Sequence, residues 1–222
     1  FFKDLPEENF VKLNLTKSFV ENCEICERLG VDPGSVISRS TASGMAIYSE
    51  DDKTYILTAD HFCNGLDDFM SFSSLTTSEF TSDDHYGNSW ASEVVFSDPE
   101  NDLCLLVSKM PEIETVTIAD EQPEVGETVF AIAAPKGYSS EGISLHFEGQ
   151  YSGCDNTGDC AFVMQAYFGS SGGAIMNYRG EVISVIQRAD MELKYITLGP
   201  NVSTIRYFLE RASNQLGVDL LQ

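Results

Sequence analysis

The sequence predicts an all-β fold: two packed six-stranded antiparallel β-barrels, with a short N-terminal helix and a C-terminal helix. Three observations predict it. Short apolar runs bounded by Gly, Ser, Asn or Asp recur in two series. Residues 108–125, which hold Pro111 and Pro123 and no long apolar run, separate the two series. Helical periodicity is confined to the ends of the chain. With 222 residues, 42% of them hydrophobic and 11% aromatic, the chain can bury a sizeable core.

Taken in order, Ser18-Phe19-Val20-Glu21 has the form of a capping box. With Phe19, Val20, Cys23 and Leu29 on one face and Gly30 as a stop, it predicts a helix over 18–29. The first strand series follows: Met45 to Tyr48, Tyr55 to Ala59, Val94 to Phe96 and Leu103 to Val107, with a long acidic loop from Asp67 to Ser89. The second series is Thr128 to Ala133, Ile143 to Tyr151, Ala161 to Gln165, Gly173 to Asn177, Glu181 to Gln187 and Tyr195 to Leu198. Ile205, Phe208, Leu209 and Ala212 then fall at helical spacing within 201–216, closed by Gly217. The expected organisation is an arm and helix over 1–34, a first barrel over 35–110, a connection over 111–125, a second barrel over 126–200, and a helix and tail over 201–222.

Thirteen basic residues face thirty-five acidic ones, a formal charge of −22. Such a surface repels phosphate backbones and excludes nucleic acid as a partner. Its plain reading is solubility; its sharper one is steering of cationic substrates or rejection of acidic ones. No run of eighteen apolar residues occurs, so no membrane insertion is expected. The start, Phe1 to Pro6, lacks the basic, apolar and small-residue zones of a signal peptide, which leaves the location open. Asn14 and Asn201 head Asn-x-Ser/Thr sequences.

Of the six cysteines, Cys154 and Cys160 bracket the turn-forming run Asp155 to Asp159 and are candidates for a disulfide across a hairpin tip. Cys104, within an apolar strand, reads as a small buried hydrophobe. Cys23 and Cys26 have the spacing of a redox or metal pair, but no second such pair and no nearby His completes a metal site. The cysteines lean towards oxidising, extracytoplasmic or secreted surroundings.

Gly169-Ser170-Ser171-Gly172-Gly173 carries the chemistry. A nucleophilic serine needs its hydroxyl presented at a tight turn, with backbone N–H groups free to face a developing oxyanion. Glycines permit the dihedrals and clear the approach. A flexible Ser/Gly loop is the plain alternative, but strand-like runs press on both sides. Three histidines are available as base. His85 sits in a polar loop and His146 on an alternating strand whose surface face would hold it. His61 stands at the exit of the strand Tyr55 to Ala59. Asp102, immediately ahead of the strand from Leu103, is placed to be fixed and desolvated, as the orienting carboxylate requires. Asp98 and Glu100 look like turn residues, and Asp60 is too close in sequence to reach the ring of His61 easily.

The order His61, Asp102, Ser171 resembles the trypsin-like (chymotrypsin-fold) serine protease superfamily, and most of all its HtrA/Deg-type branch. Thr58-Ala59-Asp60-His61, Ser97-Asp98-Pro99 with Asn101-Asp102-Leu103-Cys104-Leu105-Leu106, Val125 to Ile132 with Pro135-Lys136-Gly137, and Gly169 to Asn177 with Gly180-Glu181-Val182-Ile183 each resemble motifs of that branch. The resemblance covers about 35 to 210. It implies a serine endopeptidase acting on polypeptides, with backbone N–H groups of Gly169 and Ser171 as oxyanion donors and no metal or organic cofactor. It also implies a homo-oligomer, often a trimer in that branch. Ser170 replaces the acid that digestive relatives use in zymogen activation, and Gln165 replaces the acid that selects Lys or Arg in trypsin. The branch's PDZ domains are not part of this sequence. Gln165, Gln187 and Arg188 are the expected substrate-binding positions. The alternative is a latent protease-fold module, used for binding or assembly, whose oxyanion loop is collapsed.

Overall fold

The structure, a computed structural model, describes residues 6–21, 24–64, 76–141, 143–190, 192–193 and 195–221. Cys23 and the segment 67–75 of the expected acidic loop lie outside them. The first barrel is closed and is built from β1 (Phe10–Phe19), β2 (Val36–Glu50), β3 (Lys53–Thr58), β4 (Thr76–Asp83), β5 (Ser89–Asp98) and β6 (Leu103–Ser108), in the order β1-β2-β3-β6-β5-β4. All pairings are antiparallel, and β1 against β4 completes the ring.

Two expectations are corrected here. Residues 18 and 19 belong to β1 rather than to a helix, and helix α1 is described over Glu24–Leu29. The barrel therefore begins at Phe10 and not at 35. In β1 the buried Val11, Leu13 and Leu15 alternate with half-buried Lys12, Asn14 and Thr16, a period of two that outweighs the helix-start pattern around Ser18. The second correction falls in the acidic loop. Residues 76–83 form β4, whose lone large apolar residue is Phe80; pairing with β1 and β5, not an apolar face, makes it a strand.

The second sheet has the order β11-β10-β7-β8-β9-β13-β12, from β7 (Thr128–Ala133), β8 (Leu145–Cys154), β9 (Asp159–Val163), β10 (Ala174–Met176), β11 (Val182–Val185), β12 (Arg188–Ala189) and β13 (Ile196–Pro200). Its two ends, β11 and β12, are successive pieces of one run broken only at Ile186 and Gln187. Ile186 N–H donates to Gly173 and Gln187 N–H to Leu198, so this run is tied to both flanks and the sheet wraps round on itself.

One apolar cluster joins the halves. It takes Phe10, Met45 and Leu57 from the first barrel, Ile132, Met176 and Val185 from the second, and Ile205, Phe208 and Leu209 from helix α3 (Val202–Leu216). Each such fully buried side chain contributes about 2 kcal/mol. The Asn201 side chain caps α3 by accepting from Thr204 N–H at 2.8 Å, and Gly217 ends it at φ 70°. This packing sets the facing ends of the barrels against one another, where His61, Asp102 and Ser171 all lie.

Candidate active site

The loop bearing Ser171 is fixed by backbone contacts that only glycine tolerates. At Gly172, with φ 83°, a Cβ would stand 2.0 Å from Thr58 Oγ1 and 2.1 Å from the Ser43 carbonyl. Ser43 N–H donates to the Ser171 carbonyl at 2.8 Å, stitching the loop to β2 of the first barrel. Because a trans peptide points its C=O and N–H in opposite directions, the partners of two carbonyls orient two N–H groups. The Phe168 carbonyl accepts from Lys136 N–H at 2.5 Å, which turns Gly169 N–H the other way. The Ser170 carbonyl accepts from Gly173 N–H at 2.9 Å, which does the same for Ser171 N–H. Among the described residues, neither of these two N–H groups meets a protein acceptor.

Ser43, which no sequence motif marks, ties the loop together. Its fully buried hydroxyl donates to the Gly169 carbonyl at 2.9 Å and accepts from Ala134 N–H at 2.8 Å. Its own carbonyl accepts from Thr58 Oγ1 at 2.7 Å. The signal that could have found it is a polar residue at the apolar end of a strand, Ser43-Gly44-Met45, where an unpaired hydroxyl would be costly.

His61 sits on the short helix α2 (Asp60–Cys63), and Asp102 lies in the turn before β6 with φ 49°, a left-handed backbone for a residue with a side chain. The two carboxylate oxygens lie 3.0 and 2.9 Å from His61 Nδ1, and one of them also accepts from His61 N–H at 2.8 Å. The same carboxylate thus fixes both the ring and the backbone of α2. Asp60 points elsewhere and accepts from Ser97 Oγ at 2.5 Å and Asn64 Nδ2 at 2.7 Å. Asp98 is buried; it accepts from Asn101 Nδ2 at 2.9 Å across the turn, as a turn residue would, and also pairs with Arg211 at 2.9 Å. His146 pairs with Glu7 at 3.0 Å on β8, and His85 lies by Ser144 and Tyr86; neither lines the Ser171 cleft.

Cys104 is not a free buried thiol. It is bonded to Cys63, so a disulfide joins the position two after His61 to the position two after Asp102. The strand burial that favoured a hydrophobe is real, but the partner came from a helix forty-one residues away, which local sequence does not reveal. Cys154 and Cys160 form a disulfide at the β8–β9 hairpin. Cys26 is also disulfide-bonded.

None of the three expected substrate contacts is among the described residues lining the cleft that holds His61 and Ser171. Gln187 is buried, and its Nε2 donates to the carbonyls of Asn101 at 2.6 Å and Asp102 at 2.9 Å. Its side chain braces the turn that carries Asp102. Arg188 forms an exposed ion pair with Asp159 and lines a separate cavity of about 350 Å³. Gln165 is half-buried and accepts from Tyr167 Oη at 3.4 Å. Gln187→Leu leaves two carbonyls without their donor and is expected to lower stability by about 2 kcal/mol, read as a lower urea midpoint.

His61 and Ser171 open into one cleft of about 530 Å³ between β2 and the turn at Pro135–Gly137. Two β-barrels meeting at an imidazole, a carboxylate and a serine in a glycine-bound turn define the class of double-barrel serine peptidases. The Trypsin-like peptidase domain family matches residues 42–185, and the chain belongs to that family. Among solved structures it is similar in fold to the active form of the Rv3671c protease from M. tuberculosis (TM-score 0.67, 17% identity, 93% of this chain and 81% of that one). It is likewise similar to the serine endoprotease from Yersinia pestis (TM-score 0.68, 17% identity, 94% of this chain), of which it spans 64% of the length. No curated protein sequence matches it.

Proposed function

We propose that the protein is a serine endopeptidase in which Ser171 attacks the scissile carbonyl, His61 accepts its proton and later gives it to the leaving amine, and Asp102 stays ionised. The observation that carries this reading is the Asp102 carboxylate held 2.9 Å from His61 Nδ1, with His61 sharing the Ser171 cleft. A proton on Nδ1 leaves Nε2 free as the base. Gly169 N–H and Ser171 N–H would stabilise the oxyanion, each donor being worth about 3 kcal/mol of barrier. Their orientation away from Lys136 and Gly173 supports a formed rather than a collapsed oxyanion site. No step calls for a metal or an organic cofactor. Digestion of casein with and without a serine-directed reagent tests the reading. Fragments that vanish with the reagent are expected. No turnover, or turnover that the reagent leaves untouched, would favour a binding module instead.

A further inference from the structure

Charge is unevenly laid out around the cleft. In a chain whose acids outnumber its bases thirty-five to thirteen, the described residues lining the cleft include Lys17, Arg39 and Lys136 and no acid. Elsewhere Lys12, Arg179, Arg188, Arg206 and Arg211 each sit against a carboxylate. Arg39 and Lys136 are exposed, and among the described residues neither side chain has an ion-pair partner. The two stand on opposite walls. Thr41 packs on Gly137, and Arg39, two residues back along β2, lies on the same strand face, towards the turn that bears Lys136.

The side of the cleft follows from the proposed chemistry. His61 must hand its proton to the leaving amine, so the peptide beyond the scissile bond passes along the groove that His61 opens into. We infer that this groove takes a segment carrying carboxylates just after the scissile bond, with Arg39 and Lys136 as the cations that select it. The inference rests on the peptidase reading above. It runs against the preference that the net charge alone would give. Within a Debye length of about 8 Å, two cations with no ion-pair partner among the described residues outweigh a diffuse surface field.

The test uses one peptide that the protein cleaves at a single bond, made with Glu or with Lys at the positions following that bond. The Glu form is expected to have a kcat/KM on the order of tenfold higher at low salt, the size that two exposed charge pairs allow. The ratio should shrink at high salt, fall part of the way in Arg39→Gln and invert in the Arg39→Glu/Lys136→Glu double variant. Equal rates, faster cleavage of the Lys form, or a Glu preference that survives the double variant would overturn the assignment while leaving the peptidase reading intact. Cleavage of no peptide would sink the peptidase reading instead. Fluorescence anisotropy of Glu-bearing and Lys-bearing peptides with Ser171→Ala then decides the charge preference alone. Tighter Glu binding supports it and equal binding overturns it.

Discussion

Ser171→Ala is expected to lower kcat on peptide substrates by about 10⁶-fold, to the level left by binding and oxyanion contacts alone. The reasoning starts from the loop. Its position depends on main-chain bonds, Ser43 N–H to the Ser171 carbonyl and Gly173 N–H to the Ser170 carbonyl, which alanine leaves in place. The change removes the attacking oxygen and little else, so thermal stability should move by less than about 1 kcal/mol. Labelling by an active-site serine reagent should disappear in the same variant. A variant that cleaves and labels as before would mean that the nucleophile is another residue.

Asp102→Asn is expected to cost about 10⁴-fold in kcat through the tautomer of His61. The direction follows from a bond specific to this site. His61 N–H donates to Asp102 Oδ1, so the single oxygen left in asparagine is drawn to that fixed donor. The new NH₂ then faces Nδ1, which lay 2.9 Å from the second carboxylate oxygen. Nδ1 must accept, the ring proton moves to Nε2, and the ring can no longer take a proton from Ser171. Steady-state kinetics on a peptide substrate, with a thermal melt to confirm folding, checks this. Activity within tenfold of the parent would remove Asp102 from the mechanism.

What could be read in advance divides along physical lines. The strands β3, β6 and β7 are nearly continuous buried runs, and such runs announce themselves. The loop around Ser171 was legible because its glycines record close approaches that other residues cannot make. β1 was hidden by a competing helix-start pattern, and β4 by the scarcity of apolar residues in a strand held by two neighbours. At the site, the residues proposed to bear the chemistry are legible, while the side chains that hold them are not. Gln187 and Ser43 owe their roles to carbonyls 85 or more residues away, and a bond of that kind leaves no local trace. The charge of Arg188 suggests a substrate contact, but Asp159 from the hairpin across the sheet takes that charge up.

The Cys63–Cys104 bridge also bears on how near His61 and Asp102 can be kept. Along the backbone alone the tether between them is forty-one residues long. Through the sulfurs it runs Phe62, Cys63, Cys104, Leu103, so the local concentration of carboxylate around the imidazole is set by a few bonds rather than by a long loop. Closing a loop of this length restricts the unfolded chain by about 4 kcal/mol. Without the bridge, the pair would be held by packing, by His61 N–H on the Asp102 carboxylate and by Gln187 on the Asp102 carbonyl, across a tether of forty-one residues.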